Sequence, residues 1–187
     1  MDADRQLVSD VLGGKPGAFE RLVREYQGLC WHIVQRMVRH PEDTRELCQE
    51  AFLRIHRNLH QYRCDAPLKS WIGQVAYSVA RRHLERKRIA LVDDDGEGGS
   101  LLDALPDSFD LAGAVEGEEQ ARGLHAAIEH LPPLPRMLLT LHYLDEVPIG
   151  EIAAMTGLAE GTIKSHLFRS RKRLRELLQP SLVGVAA

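Results

Sequence analysis

Hydrophobic residues in the first half of the chain recur at steps of three and four positions. Such stripes run through residues 19–37, 47–59 and 68–79, and each places its apolar side chains on one face of a helix. Pro16, Pro41 and Pro67 precede these stripes, at positions where proline fits the first turn of a helix. No segment alternates with period two for long, so we predict helices and no sheet.

The last third of the chain shows a second region of helical periodicity. Apolar residues recur through residues 124–141, and a short apolar segment at 149–155 follows. A break at Thr156-Gly157-Leu158 then precedes an amphipathic stretch that begins near Glu160. A short helix with a small residue at Ala153, a glycine four positions later and a second helix form the pattern of a helix-turn-helix.

The segment between the two helical regions differs in composition. Residues 93–100 read Asp-Asp-Asp-Gly-Glu-Gly-Gly-Ser, which is typical of a flexible, solvated linker. We therefore predict an all-α chain of two small helical domains joined by a flexible acidic linker, the C-terminal domain containing the helix-turn-helix. The predicted boundaries are 1–90 for the first domain, 91–117 for the linker and 118–187 for the second domain.

The placement of charge changes what the composition implies. The 187 residues include 24 Lys+Arg and 27 Asp+Glu, and the formal net charge of −3 argues mildly against a nucleic-acid binder. Counted by segment, residues 1–90 carry a net +5, residues 91–121 carry −10 without any Lys or Arg, and residues 122–187 carry +2. Two basic domains therefore flank one acidic segment, an asymmetry that indicates nucleic-acid partners for the domains.

The second helix of the predicted helix-turn-helix turns hydroxyl, amine and guanidinium groups outward. These groups suit the phosphates and base edges of a DNA major groove. The candidate contacts are Thr162, Lys164, Ser165, His166, Arg169, Lys172 and Arg173. The alternative is a generic helical hairpin whose polar face is only solvated.

Three segments together resemble a known family. Residues 147–167, with Leu131-Pro132-Pro133 before them and a basic run at 169–174 after them, resemble the C-terminal DNA-binding domain of bacterial RNA polymerase sigma factors. Residues 43–53 resemble the polymerase-docking helix of that family, and residues 67–72 resemble the start of its promoter-melting helix. The short chain, with no third domain between these parts, is similar to the extracytoplasmic-function (ECF) group.

The resemblance implies a sigma factor that directs bacterial RNA polymerase core enzyme to specific promoters and helps to open them. The docking residues implied are Glu46, Leu47, Gln49, Glu50, Phe52 and Leu53. Apolar anchors ringed by acid and amide groups make a specific protein interface. Leu47 lies on the apolar stripe and Phe52 is large and apolar, so either could instead belong to the core.

The resemblance also implies where the downstream (−10) promoter element binds. The family holds a flipped non-template base in the loop before the fourth helix, and the helix itself contacts the DNA backbone. The implied residues are Tyr62, Arg63, Asp65, Lys69, Ser78, Arg81, Arg82 and Arg86. Many relatives carry Asn near Ser78 and an acid near Arg82, so these two departures bear on base specificity and on melting. Trp71 could stack on a base, but its apolar spacing favours the core.

The remaining partners follow from the same resemblance. Residues 162–173 would read the upstream (−35) element, and an anti-sigma factor is a further partner that the ECF group admits. The acidic linker could mimic the RNA backbone inside the polymerase, or could be a solvated tether. The alternative function is a stand-alone helix-turn-helix regulator with an N-terminal interaction domain.

Several other classes of protein find no support in the sequence. No phosphate loop, nucleophile motif or paired-carboxylate signature is present, so we expect no enzymatic activity and no cofactor. His56, His60 and Cys64 stand at steps of four, but Asp65 and Pro67 indicate that the helix ends near Cys64, so we expect no metal site. Cys30, Cys48 and Cys64 form no paired motif, and no membrane segment or secretory signal occurs, which favours the cytoplasm.

Overall fold

A computed structural model describes residues 2–92 and 118–182, and within these ranges the chain forms α-helices without any strand. The predicted linker, 91–117, lies almost entirely outside the described residues. A 3₁₀ turn, Leu59–Gln61, follows the third helix, and a π-helical turn, Thr140–Leu144, follows the sixth. The helices are α1 Asp2–Leu12, α2 Ala18–Val38, α3 Pro41–Asn58, α4 Leu68–Val92, α5 Glu118–Glu129, α6 Pro133–Leu139, α7 Ile149–Thr156 and α8 Glu160–Leu182.

Contacts between backbones divide the chain into two compact units. Among the described residues, the first comprises 2–92 together with Gly150–Leu158, and the second comprises 118–149 together with 159–182. The first unit therefore contains α1–α4 and nearly all of α7. The second unit contains α5, α6 and α8.

The core of the first unit is formed where α2, α3 and α4 pack against one another. Each predicted stripe supplies one side of this core, with Ile33 of α2, Ile55 of α3 and Ile72 of α4 at most 1% exposed. Removal of these apolar surfaces from water supplies the main driving force for packing the three helices. The periodicity therefore identifies both the helices and their buried faces.

Helix α1 packs on α2, although the apolar pattern indicates no stripe there. Only Leu7 and Val8 of this helix are buried hydrophobic residues, and two positions are too few to define a period. Helix α1 also contacts the 3₁₀ turn Leu59–Gln61. The first segment of the chain is thus an integral part of the helical domain.

The start of α3 illustrates how the sequence sets a helix boundary. Pro41 occupies the first turn, and the His40 side chain accepts a hydrogen bond from the Asp43 amide at 3.3 Å, which satisfies one of the free N–H groups of that turn. Lys87 of α4 donates to Asp43 Oδ2 at 2.7 Å. The Lys87 hydrogen bond holds the pKa of the Asp43 carboxyl below its usual range.

The second unit buries a charged side chain at the junction of α5 and α6. Arg136 is 2% exposed, and its guanidinium donates to the carbonyl oxygens of Leu131 at 3.0 Å and Glu129 at 3.5 Å. A buried guanidinium needs such partners because unpaired burial of a charge is costly. The carbonyls at the end of α5 and in the turn after it therefore gain a donor that the helix itself does not supply. Helices α5 and α6 both pack on α8.

Two helices and a turn between them occur at the residues predicted for the helix-turn-helix. Helix α7 ends at Thr156, and Gly157 adopts a φ of +71° before α8 begins at Glu160. The Gly157 amide donates to Ala153 O at 2.8 Å, and the Leu158 amide donates to Thr156 Oγ1 at 3.3 Å. Glycine suits this turn because other residues are strained at positive φ.

Candidate protein and nucleic-acid interfaces

Helix α3 presents a mixed polar and apolar face to solvent. Glu46 and Gln49 are exposed, Glu50 is half-buried and forms an ion pair with Arg54, and Leu53 is 57% exposed. A leucine this exposed, next to an amide and an acid, has the composition of a protein interface.

Leu47 does not belong to this face. It is 4% exposed and lies in the core, as the alternative drawn from its apolar stripe predicts, and its assignment as a docking residue stays a prediction. Its burial follows from the register of the helix: Leu47 shares the inward stripe with Ala51 and Ile55. Leu47 therefore contributes to the stability of the helix from inside.

An apolar groove runs between α2 and α3, beside Leu53. Its volume is about 740 Å³. Phe52 is 9% exposed and forms part of the wall, so it serves both the core and the groove. The apolar and aromatic residues that line the groove include Phe19, Val23, Trp31, Phe52 and Leu53.

Trp31 also lines this groove, although the apolar pattern of the sequence does not single it out. It is 38% exposed on α2, and exposed tryptophan is enriched at the centres of protein interfaces. Its exposure can be anticipated from the sequence, because Trp31 is a large aromatic residue that lies outside the apolar stripe of its own helix. The groove can accept an apolar side chain from a protein partner.

The loop between the 3₁₀ turn and α4 is held by a tyrosine. The Tyr62 hydroxyl donates to Ala66 O at 2.6 Å, and its ring centroid lies 5.7 Å from that of Trp71. Cys64 adopts a φ of 59°, while Arg63 and Asp65 are exposed. Tyr62 and Trp71 are both half-buried.

Helix α4 carries a row of cations. Arg81, Arg82 and Arg86 are exposed, with Arg81 Nε 3.6 Å from Glu85 Oε1. Lys69 is also exposed, and its Nζ lies 3.3 Å from Glu151 Oε2 in the same unit. Exposed cations along one helix suit the regular spacing of backbone phosphates.

Ser78 lies between these cations and is half-buried. It lines a cavity of about 360 Å³ together with Arg81 and with Arg54 and Asn58 of α3. Arg54 was not predicted as a site residue, because its distance from Ser78 in the sequence gives no sign that the two share a cavity.

Helix α8 presents its predicted DNA-reading residues on one side of an amphipathic helix. Thr162, Lys164, Ser165, Lys172 and Arg173 are exposed, whereas Ile163, Leu167 and Leu174 are buried. His166 and Arg169 are half-buried. The side chains with hydrogen-bonding and charged ends are therefore separated from the residues that hold the helix in place.

Of the two half-buried residues on α8, His166 has a shifted pKa. Burial lowers the pKa of the His166 imidazole from its ordinary value of 6.5, and the positive charge of Arg169 lowers it further. His166 is therefore neutral at neutral pH. It can offer hydrogen bonds to DNA there but contributes no net charge.

The residues considered as metal ligands do not share a helical face. Helix α3 ends at Asn58 and not near Cys64 as the sequence predicts, and Cys64 lies beyond the 3₁₀ turn with a positive φ. The His56 ring packs edge-on against Phe19, with centroids 4.7 Å apart. Across residues 2–92 and 118–182 no group of three or more His, Cys, Asp or Glu could hold a metal ion. None of the helices in these ranges has the length and apolarity that a membrane crossing requires.

Comparison with known families assigns the two ends of the chain. Residues 22–89 match the family Sigma-70 region 2, and residues 121–174 match Sigma-70, region 4. Among curated relatives, the RNA polymerase sigma-H factor of Pseudomonas aeruginosa is 30% identical over 186 residues, which cover 97% of this chain and 96% of that protein. The ECF RNA polymerase sigma-E factor of Escherichia coli K12 is 32% identical, with 95% of each chain covered.

Solved structures show the same fold. CnrH, in complex with the cytosolic domain of CnrY, matches with a TM-score of 0.65 at 20% identity, covering 95% of this chain and 98% of CnrH. The sigma factor RpoE of Bartonella quintana, in complex with the anti-sigma factor NepR, matches with a TM-score of 0.63 at 19% identity, covering 87% of this chain and 98% of RpoE. The family matches at both ends and the similarity to full-length relatives agree: the chain belongs to the ECF group of sigma-70 family RNA polymerase sigma factors.

Proposed function

We propose that this sigma factor binds core RNA polymerase through the α2–α3 groove and binds promoter DNA through two further surfaces. As a member of the ECF group, it directs the polymerase to promoters and takes part in transcription initiation. The boundaries proposed for its parts are 1–90 for polymerase docking and −10 recognition, 91–117 for the linker, and 118–187 for −35 recognition.

The polymerase-docking surface is the exposed face of α3 with the adjoining groove. Glu46, Gln49, Glu50 and Leu53 supply the polar rim and the apolar anchor, and Phe52 forms part of the wall. The single observation that carries the proposal is the apolar groove with Leu53 and Trp31 exposed at 57% and 38%. When a partner covers apolar side chains that are exposed at a groove, their removal from water stabilises the complex.

The −10 surface combines the Tyr62–Leu68 loop with helix α4. Exposed Arg63 and Asp65 offer polar groups to a flipped base, and the half-buried Tyr62 offers an aromatic ring for stacking. Lys69, Arg81, Arg82 and Arg86 neutralise phosphates. Ser78 lies where many relatives carry Asn, so it is the position at which we expect base preference to differ.

The −35 surface is the polar side of α8. Thr162, Ser165 and the neutral His166 supply hydrogen bonds to base edges, and Lys164, Arg169, Lys172 and Arg173 supply charge to the backbone. The polymerase supplies the chemistry of RNA synthesis, so we propose no catalytic activity for the chain itself. Its place of action is the cytoplasm, where core polymerase and promoter DNA are found.

We also propose that an anti-sigma factor regulates this protein. CnrH and the RpoE of Bartonella quintana have the same fold, and the RpoE structure contains its anti-sigma factor NepR. The exposed apolar groove gives a protein inhibitor a surface to cover.

The test mixes the purified chain with bacterial core polymerase and measures complex formation and start-site-specific transcription. We expect Leu53→Ala and Trp31→Ala each to weaken core binding about tenfold, because each removes an apolar anchor from the groove. The matched control is Leu12→Ala, since Leu12 is 54% exposed on α1 and does not line the groove. We expect this control to bind core polymerase as the wild type does.

Two results would count against the proposal. Wild-type affinity in both groove variants would mean that polymerase docks elsewhere. Tight duplex binding without polymerase, and no specific transcription with it, would favour the stand-alone regulator instead.

A further inference from the structure

Helix α1 reaches the loop of the −10 surface through one carboxylate. Asp4 Oδ2 accepts a hydrogen bond from the Leu68 amide at 3.2 Å, and Asp4 Oδ1 accepts one from the Tyr26 hydroxyl at 3.4 Å. Asp4 is part-buried and is separated from Leu68 by 64 positions in the chain. One side chain therefore ties α1 to both α2 and the first residue of α4.

The bond to Leu68 lies at a point where α4 needs an acceptor. The first amides of a helix have no partner within the helix, and a nearby carboxylate both accepts from them and interacts favourably with the positive end of the helix dipole. No residue just before Leu68 supplies this cap, because Ala66 and Pro67 have no side-chain acceptor. Asp4 thus serves as an N-terminal cap supplied from a distant part of the sequence.

Tyr62 also holds the loop, through two hydrogen bonds. The Tyr62 amide donates to Leu59 O at 3.1 Å, and the Tyr62 hydroxyl donates to Ala66 O at 2.6 Å. Burial raises the pKa of the Tyr62 phenol, and the negative charge of Asp4 contributes to the rise. The Tyr62 amide therefore fixes the start of the loop on the 3₁₀ turn, the Tyr62 hydroxyl bridges the loop to Ala66, and Asp4 fixes its end.

We propose that Asp4 is a positioning residue for −10 recognition: it fixes the end of the Tyr62–Leu68 loop against α4, so that the loop presents a preformed pocket to a flipped base. This inference rests on the proposed function. A base pocket must be shaped before binding if it is to discriminate, because a loop that orders only on contact spends binding free energy on its own ordering. Asp4 itself does not contact DNA in this arrangement.

The test measures the binding of reconstituted holoenzyme to a labelled single-stranded non-template oligonucleotide. The oligonucleotide carries the −10 element of a promoter mapped from transcript start sites, and a second one carries a single-base change in that element. We expect Asp4→Ala to weaken binding to the first about fivefold. Without this helix cap the loop must become ordered on binding, and that ordering opposes binding. We expect the ratio between the two oligonucleotides to fall as well.

Two variants separate positioning from general support of the fold. Asp4→Asn keeps a side-chain oxygen that can accept from the Leu68 amide, so it should bind within about twofold of the wild type. Asp10→Ala removes another carboxylate of α1, which accepts from Gln6 at 2.8 Å and pairs with Lys15 at 3.3 Å, away from the loop. Asp10→Ala should leave the discrimination between oligonucleotides unchanged, and all three variants should bind core polymerase normally.

The proposal is overturned if Asp4→Ala retains wild-type affinity and discrimination, or if Asp10→Ala loses discrimination to the same extent. It is also overturned if Asp4→Ala loses core binding in parallel, because that result means a general defect in the domain. Wild-type holoenzyme that fails to prefer the −10 strand would instead refute the proposed function, and the inference with it.

Discussion

Individual residues of one helix can have opposite roles. Leu47 and Leu53 of α3 are six positions apart, yet the first is 4% exposed and the second 57%. Apolar periodicity identifies Leu47 as inward-facing, whereas Leu53 differs because its side chain opens onto the α2–α3 groove. The same distinction applies on α8, where His166 belongs to the polar side but is buried enough to change its titration.

His166 makes the stability of α8 depend on pH. Its pKa in the folded chain lies below the ordinary value of 6.5 because burial and Arg169 disfavour the charged ring, so at mildly acid pH the unfolded chain binds the proton first. The contribution of neutral His166 to the free energy of unfolding is therefore complete above pH 6.5, and it is lost as the pH falls through the lowered pKa of the folded chain. Hydrogen exchange of the α8 amides should show weaker protection at about pH 5.5 than at about pH 7.5, after correction for intrinsic exchange rates.

The variant His166→Gln supplies the comparison. Because glutamine does not titrate in this range, its α8 amides should lose less protection between the two pH values than those of the wild type. Equal losses in the two proteins would assign the effect to other groups.

At the scale of elements, helix boundaries follow from local chemistry and helix partners do not. Pro41, the acidic first turn and the His40 cap explain where α3 begins. The φ of +71° at Gly157 explains why α7 ends just before this residue. Helix α1 has only two buried hydrophobic residues, Leu7 and Val8, and it gains a role through Asp4 that no local pattern predicts.

The turn of the helix-turn-helix can be tested with a matched pair of glycines. A Cβ atom at Gly157 or at Gly161 would meet nothing within 4 Å, but only Gly157 has a positive φ. Gly157→Ala should therefore lower the local unfolding free energy of α8 by about 1 kcal/mol because the left-handed backbone is strained for alanine.

Gly161→Ala should instead raise that free energy by up to about 1 kcal/mol, since alanine is the better helix former. Hydrogen exchange of the α8 amides measures both. A destabilisation of similar size in both variants would mean that space, and not backbone strain, limits the turn.

At the scale of the whole molecule, the net charge of −3 conceals a strong separation of charge. The exposed cations of α4 and α8 lie in the two domains, while the acidic residues concentrate in 91–121. The interpretation of this acidic segment as an RNA mimic or as a tether stays a prediction, because the segment falls largely outside the described residues. Its charge nevertheless has a consequence for the free protein, since it reduces the attraction of the whole chain to DNA.

Replacing Asp93, Asp94, Asp95 and Glu97 with Asn or Gln removes four negative charges. We expect the free chain to bind non-specific duplex DNA more tightly at low salt, by about tenfold, with the difference shrinking as salt is added. Fluorescence anisotropy with a labelled duplex measures this change.

The control exchanges Asp for Glu and Glu for Asp at the same four positions. It keeps the charge and should leave the affinity unchanged. A gain in affinity in this control would point to a role of the particular side chains, and not to electrostatic repulsion.

Local sequence patterns are enough to predict the all-α class, the helix-turn-helix and the family. Helical periodicity, Pro41 and Gly157 act through local sterics and through apolar faces that must be buried, so they can be read from a short stretch of chain. The segments around residues 43–53, 67–72 and 147–167 carry the family resemblance in the same local way. The predicted contacts with polymerase and DNA remain predictions for each residue.

Which of these residues reach a surface, and which ones support it from inside, depends on how the helices pack. In the folded chain Leu47 is buried, and Trp31 and Leu53 line one groove. Asp4 accepts a hydrogen bond from the amide of Leu68, which is 64 positions away in the sequence. The physical reason is that exposure and hydrogen-bond partners depend on how separate helices pack, and that packing joins residues that are distant in the sequence. Local pattern specifies each helix and its buried face, whereas a site formed by three helices exists only once they meet.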